Sequence, residues 1–291
     1  MTAALQYLLS GLAIGGIYAL VALGFHLMWT VAKAVNFAQG DTLMIGALLT
    51  LVALDSGVSM WVAVPLAVAA AAVFGAVLER LAMRPFAANA SSIGWMLTTI
   101  AVGMMVESLA TMHLGGFSRA LPSPGVERSV SIMGVGIYPQ ELLIPVVAVA
   151  IMVGLTVLQR YTMIGRSMRA VARDRDGAAL MGINVNKIIA FSFALAAALG
   201  AGAGILVAPV IQVSATMGLL LGLKGFAVAI IGGITSAGGV VLAGFAYGII
   251  EKTVEGVAST AAREIVGFGL MIVVLLIFPQ GLFGKREVFK V

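Results

Sequence analysis

Most charged residues of this chain fall in the breaks between long apolar runs. Of its 291 residues 61% are hydrophobic and only 10% charged, whereas a soluble domain carries about a quarter charged residues. Runs of this length read as helices that satisfy their own backbone polar groups inside a lipid bilayer. The expected fold class is therefore all-α: one polytopic transmembrane domain over 1–291, with about eight spans or half-spans. The 36 glycines suit close helix packing in lipid, where small residues let backbones approach. Net charge is +5, but the basic residues sit beside apolar segments, so membrane topology accounts for them better than nucleic acid does. The absence of cysteine excludes disulfides, thiolate metal sites and cysteine nucleophiles. No basic segment precedes the first apolar run, which reads as a span and not as a cleaved signal.

Taken in order, Leu5–Thr30 is the first span, with His26 near its end and Lys33 just beyond. A polar break, Asn36-Phe37-Ala38-Gln39-Gly40-Asp41, separates it from the short run Thr42–Leu54. At about 1.5 Å per residue that run covers roughly 20 Å of a ~30 Å core, so it is a half-span or one part of a broken helix. Met60–Met83 spans again and leads to Arg84; Ile93–Leu114 follows, with Glu107 inside it. Gly115–Tyr138, holding Pro122, Pro124, Arg119 and Arg128, reads as an external loop. Pro139–Gln159 and Ile188–Ile211 flank a basic loop, and Glu264–Phe278 is the last span before the tail Lys285, Arg286 and Lys290.

Placing Lys33, Arg80, Arg84 and the basic loop on the cytoplasmic side puts the N-terminus outside. A single crossing at Phe226–Ile250 would then leave the basic tail outside too. A re-entrant hairpin turning at Gly232–Gly239, or two crossings, returns the tail to the cytoplasm; the re-entrant form is expected, each half being short. Irregular backbone at membrane depth survives only when buried in protein or lining a cavity. That marks both breaks as pathway candidates: Asn36 and Gln39 in the first, Gly232, Gly233, Thr235, Ser236, Gly238 and Gly239 in the second. Asn36, Gln39 and Asp41 are expected near the cytoplasmic side, bonding freed backbone groups of neighbouring helices.

The basic loop runs from Arg160 to Lys187. Wound as a helix, it places Met168, Val171, Ala172 and Ala179 on one face and Arg166, Arg169, Arg173, Asp174 and Asp176 on the other. Arg175 interrupts the apolar stripe, and Gly182 is a natural stop. Such a helix either rests on lipid headgroups or offers its apolar face to a cytoplasmic partner. No GxxxxGK[ST], HExxH, GxSxG or clustered His/Asp/Glu set occurs, so neither nucleotide hydrolysis by a P-loop nor enzymatic catalysis is expected, and no metal or catalytic residue is assigned.

These motifs resemble a known family. Gly11-Leu-Ala-Ile-Gly-Gly-Ile-Tyr-Ala-Leu-Val-Ala-Leu-Gly24 and Asn36–Asp41 resemble the opening signature of branched-chain amino acid ABC importer permeases. Asp176-Gly-Ala-Ala-Leu-Met-Gly-Ile-Asn-Val185 is similar to that family's cytoplasmic coupling segment. Lys224–Gly239 and Pro279-Gln-Gly-Leu-Phe-Gly284 are similar to its C-terminal signatures. The resemblance covers nearly the whole chain and is to the shorter, H-type subunit, with Gln39 where such permeases usually carry His. It implies a type II importer-like permease fold in a bacterial inner membrane, importing branched-chain or related amino acids; relatives handling urea or short amides share the skeleton. It also implies a second homologous permease, two cytoplasmic ATPases that bind ATP and Mg, and a periplasmic substrate-binding protein, with no cofactor on this chain. Arg169, Arg173, Asp174, Ala178, Ala179, Leu180, Met181 and Gly182 would form the ATPase-coupling segment. The rival is a self-sufficient secondary transporter, and a passive channel comes third; the few intramembrane charges disfavour ion coupling.

Overall fold

The computed structural model describes residues 2–86, 94–115, 117–126, 129–132 and 135–284. Arg128 and the tail residues Lys285, Arg286 and Lys290 lie outside them. The architecture is a bundle of α-helices around one axial helix, α1 (Thr2–Ala32), whose middle from Leu20 to Leu23 is wholly buried. Around it run α2 (Gln39–Asp55), α3 (Met60–Leu78), α4 (Gly94–Leu114), α5 (Pro139–Tyr161) and the short α6 (Met163–Arg173) and α7 (Arg175–Leu180). Then follow α8 (Val185–Ile211), α9 (Met217–Gly232), α10 (Ala237–Val257) and α11 (Thr260–Ile277). Among the described residues, seven helices are long and apolar enough to cross a membrane: α1, α3 with its extension to Phe86, α4, α5, α8, α10 and α11. That is the expected polytopic all-α class. Large apolar side chains such as Trp61, Leu66 and Leu276 point outward, as lipid-facing surface requires.

Glycine makes the central seam. Gly11 and Gly15 of α1 lie directly on the backbone of Gly244, Gly248 and Ile249 of α10, where an added Cβ would overlap main-chain atoms. As α1 ascends from 11 to 15, α10 descends from 249 to 244, so the two helices pack antiparallel. In lipid such close approach replaces the hydrophobic drive that packs helices in water.

Contacts separate the two ends of the bundle. At one end Arg119 reaches Asp55 at 3.1 Å, and its backbone pairs with Val213 at 2.9 and 2.7 Å. A small antiparallel hairpin, β1 (Val130–Ile132) with β2 (Val135–Ile137), lies in the expected loop there. At the other end lie Lys33, Arg84, α6, α7 and the turn between α9 and α10. Here Leu282 N donates to Ile231 O at 2.8 Å, tying the segment after α11 to that turn.

Two expectations need correction. The run from Phe226 to Ile250 is not a pair of halves each too short to span. α9 has 16 residues, but α10 has 21 and continues to Val257. The polar residues from Glu251 onward looked like the end of a span, yet Glu251 is only 2% exposed and ion-paired inside the bundle. The basic loop is likewise not wound as one helix. It breaks at Asp174, whose extended backbone and side chain start α7 afresh, because Asp competes for backbone N–H groups better at a helix start than inside one.

Candidate functional site: a mid-bundle cavity and a basic end

The first break brings the chain back into the bundle. α1 ends at Ala32 and Lys33 takes a left-handed φ of 52°, turning the chain inward. Asn36 is buried and its Oδ1 accepts from Ala38 N at 2.9 Å, closing a turn that satisfies freed backbone. Gln39 is buried beside Gly24, and its Nε2 donates to Ala196 O at 2.8 Å, while its Oε1 is buried with no partner among the described residues. Gly24 lies eight residues before the end of α1, about 12 Å in from that end. Only Gln39 reaches a neighbouring helix, since Asn36 and Asp41 bond backbone N–H groups of their own segment, and Gln39 and Asp41 lie deeper than the basic end: Asp41 packs against Gly103, halfway along α4.

α9 starts at a similar depth. Gly40 packs on the backbone of Gly218 and Gly222, contacts that only glycines permit. The two short helices therefore meet near their N-termini and run apart, α2 to Asp55 and α9 to the turn at the basic end. Beside this junction lies a cavity of about 310 Å³, lined by Asp41, Glu107, Phe25, Phe37, Phe226 and Met104 among others. Glu107, the carboxylate within α4, and Asp41 are brought together there.

The glycine turn is organised differently. Gly233 has φ 82° and sits against Gly284, Gly232 and Gly239 touch each other's backbone, and Ser236 Oγ accepts from Gly239 N at 3.2 Å to cap α10. His26 Nδ1 lies 2.7 Å from Ile234 O. Gly238 faces open space, and Thr235 and Ser236 are half-buried. Residues 232–239 are thus a packed joint between α9, α10 and the segment after α11, and they do not line the mid-bundle cavity.

At the basic end, a cleft of about 620 Å³ is bordered by Lys33, Arg84, Trp95, Arg175, Asp176 and Ala179. Glu79, 3% exposed, holds Arg84 in a bidentate pair at 2.7 and 3.2 Å. Arg175, which interrupted the apolar stripe, turns inward and donates to Ala32 O, capping the end of α1. Arg169 caps α5 in the same way, donating to Gln159 O at 2.5 Å. Met168 and Val171 are buried and fix α6 to the bundle. Asp174 Oδ1 accepts from Asp176 N and Gly177 N, both at 3.0 Å; Gly182, φ 82°, ends α7, and Asn184 Oδ1 accepts from Lys187 N to start α8. Ala178, expected in the ATPase-coupling segment, is buried at 4% exposure. Ala179, Leu180, Met181 and Gly182 remain exposed with Arg173, and Leu180 and Met181 form a bare apolar tip at 90% and 83% exposure.

One cluster escaped the sequence reading. Lys224, 1% exposed, lies 2.7 Å from Glu251 Oε1 and 2.9 Å from Glu264 Oε1. Tyr18 donates to Glu251 Oε2 at 2.7 Å, and Arg263 joins Glu264 at 2.8 Å and Glu255 at 3.0 Å. Lys252 completes the network on Glu255 at 3.0 Å. It ties α1, α9, α10 and α11 together. Lys224 within an apolar run was the signal that could have found it.

Comparison with known proteins fits this arrangement. The family described as branched-chain amino acid transport system / permease component matches residues 7–275. The chain is 32% identical over 304 residues to the high-affinity branched-chain amino acid transport system permease protein LivH of Escherichia coli K12, across 99% of this chain and 97% of that one. It is 35% identical over 301 residues to the corresponding protein BraD of Pseudomonas aeruginosa, across 99% and 98%. Among solved structures, PsaBC from Streptococcus pneumoniae in complex with Fab shares the fold, with a TM-score of 0.50 at 12% identity over 94% of this chain and 91% of that one. A bundle of seven candidate spans, matched along almost its entire length by such permeases, belongs to the permease-component family of branched-chain amino acid transport systems.

Proposed function

We propose that this chain is the translocation subunit of an ATP-driven importer carrying branched-chain or closely related amino acids across a bacterial inner membrane. The observation that carries the reading is its similarity to LivH and BraD from one end to the other, with no long segment unmatched. In this reading the chain pairs with a second homologous permease, receives substrate from a periplasmic binding protein and is driven by two cytoplasmic ATPases. The N-terminus is external and the basic end cytoplasmic, in accord with the positive-inside rule.

The elbow between α6 and α7 supports an ATPase contact. A bare Leu180–Met181 tip seats in an apolar groove as a short helix does in helix-in-groove recognition, with Arg173 at the rim. Force applied there has two hard routes into the bundle: Arg175 holds the end of α1 and Arg169 the end of α5. ATP-driven closure of the partners then tilts packed helices between two arrangements, which alternates access.

The test is purification of the tagged chain with whatever assembles on it, followed by reconstitution and uptake of leucine, isoleucine and valine. Co-purification of an ATPase and a second permease, with ATP-dependent uptake, is expected. Ala179→Glu or Leu180→Glu puts a carboxylate into the apolar contact at a cost of roughly several kcal/mol, and should lower uptake and stimulated ATP hydrolysis together. Uptake by the chain alone under an ion gradient would overturn the reading in favour of a secondary transporter.

A further inference from the structure

The mid-bundle cavity is lined by two carboxylates, Asp41 and Glu107. Asp41 is only 8% exposed, and Glu107 faces the same space from α4. Among the described residues no Lys, Arg or His lines the cavity. The other deep carboxylates of the bundle are matched, Glu79 by Arg84 and Glu251 by Lys224. Among the described residues no side chain pairs with Asp41, whose carboxylate touches its own backbone N–H and lies against Gly103, where a Cβ would collide with Oδ2. An unpaired buried carboxylate is costly at this depth and marks a functional position. The N-terminal turns of α2 and α9, which meet at Gly40 and Gly218, supply partial positive charge that helps Asp41 persist there.

The remaining walls are apolar and aromatic. Phe25 and Phe37 both pack on Phe226 with rings tilted by 59°, at 5.3 and 5.7 Å between ring centroids. With a volume of about 310 Å³, the cavity lies at the small end of the ~300–1,000 Å³ range of small-ligand sites. It opens on the flank of the bundle between α4 and α9, where Met104 and Leu219 are exposed.

We infer that Asp41 and Glu107 receive the α-ammonium group of the transported amino acid, while Phe25, Phe37 and Phe226 hold its aliphatic side chain. The inference rests on the permease reading above and names its substrate contacts. An ammonium brings three donors to carboxylates that have no side-chain donor among the described residues, and a charged hydrogen bond out of water is stronger than a neutral one. The aromatic faces accept both the cation and the alkyl group. Asp41 thus acts as more than the filler of a helix start.

Two measurements test this on the assembled importer, each with co-purification as the check on assembly. In the first, Asp41→Asn and Glu107→Gln each lower leucine uptake about tenfold or more, the scale of one lost charged hydrogen bond. Gly103→Ala, which displaces the Asp41 carboxylate without removing it, lowers uptake as well. In the second, a single cysteine at Met104 is labelled by a water-soluble thiol reagent in this otherwise cysteine-free chain. Isopentylammonium slows the labelling, 4-methylpentanoate does not, and Asp41→Asn abolishes the protection. Uptake by both neutral variants within twofold of the parent would overturn the inference. So would equal protection by 4-methylpentanoate, or protection by a proton or metal-ion gradient alone. If Asp41→Asn does not assemble, Glu107→Gln and Gly103→Ala decide the matter. Protection by isopentylammonium in an importer that carries no branched-chain amino acid would keep the site and remove the substrate reading instead.

Discussion

Asp174 divides the basic loop, and its role is local. Its Oδ1 takes the N–H groups of Asp176 and Gly177, donors that α7 leaves without a carbonyl partner. Gly177 leaves room for this, since a Cβ there would press on the carboxylate. Removing the cap by Asp174→Ala should cost about 1 kcal/mol of local stability. Hydrogen exchange over 175–181 is expected to quicken while exchange in α8 stays unchanged, and Asp174→Asn should restore most of the protection. Unaltered exchange in Asp174→Ala would mean that packing of Ala178 alone holds α7. The sequence carried this break as an Asp with Gly three residues on. It was hidden because the surrounding charges fit a continuous polar face equally well. Arg169 and Arg175 were hidden for a related reason: a basic residue capping another helix through space has no spacing signature.

At the scale of elements, the long helices were legible from apolar run length, and α2 and α9 from their shortness beside polar or glycine-rich breaks. The end of α10 was not legible, because hydropathy counts Glu251 as a terminator whether or not a partner neutralises it. That partner, Lys224, lies 27 residues earlier on another helix and is 1% exposed. The Asp41–Glu107 cavity was half legible: both residues stood out, but only the packing of α2 against α4 brings them together. The cluster around Lys224 holds the short α9 to α10 and α11, so its loss should be felt by the whole bundle. Breaking a buried pair on one side leaves an uncompensated charge, at a cost of about 3–5 kcal/mol. Lys224→Met is therefore expected to lower the thermal midpoint of the detergent-solubilised protein strongly, and Glu251→Met to do the same. The double variant should recover a large part of the loss, since two apolar side chains of similar volume replace the pair. Additive losses in the double variant would show that Lys224 acts mainly through Glu264.

For the whole molecule, the arrangement of ends follows from contacts alone, and only its sidedness rests on charge. Asp55, Arg119 and Val213 share one end; Ala32 and Arg175 share the other, with Ile231 and Leu282 bonded at the nearby glycine turn. α10 and its flanking Ser236 and Ser259 connect the two, so those serines lie at opposite ends of a 21-residue helix. Both halves of this statement can be checked in one series, because the chain has no cysteine of its own. Single cysteines at exposed Ser59 and Ser259 should react with an impermeant thiol reagent added outside intact spheroplasts. Cysteines at exposed Asn186 and Leu180 should react only after the membrane is opened. Ser236→Cys should follow the second group but more slowly, because the side chain is half-buried and caps α10. Reaction of Ser259→Cys and Asn186→Cys from the same side would break the helix alternation itself. A clean reversal of the two groups would keep the bundle and invert the membrane. The positive-inside rule would then have failed for this chain, and the Leu180–Met181 tip would face the wrong compartment for a cytoplasmic ATPase.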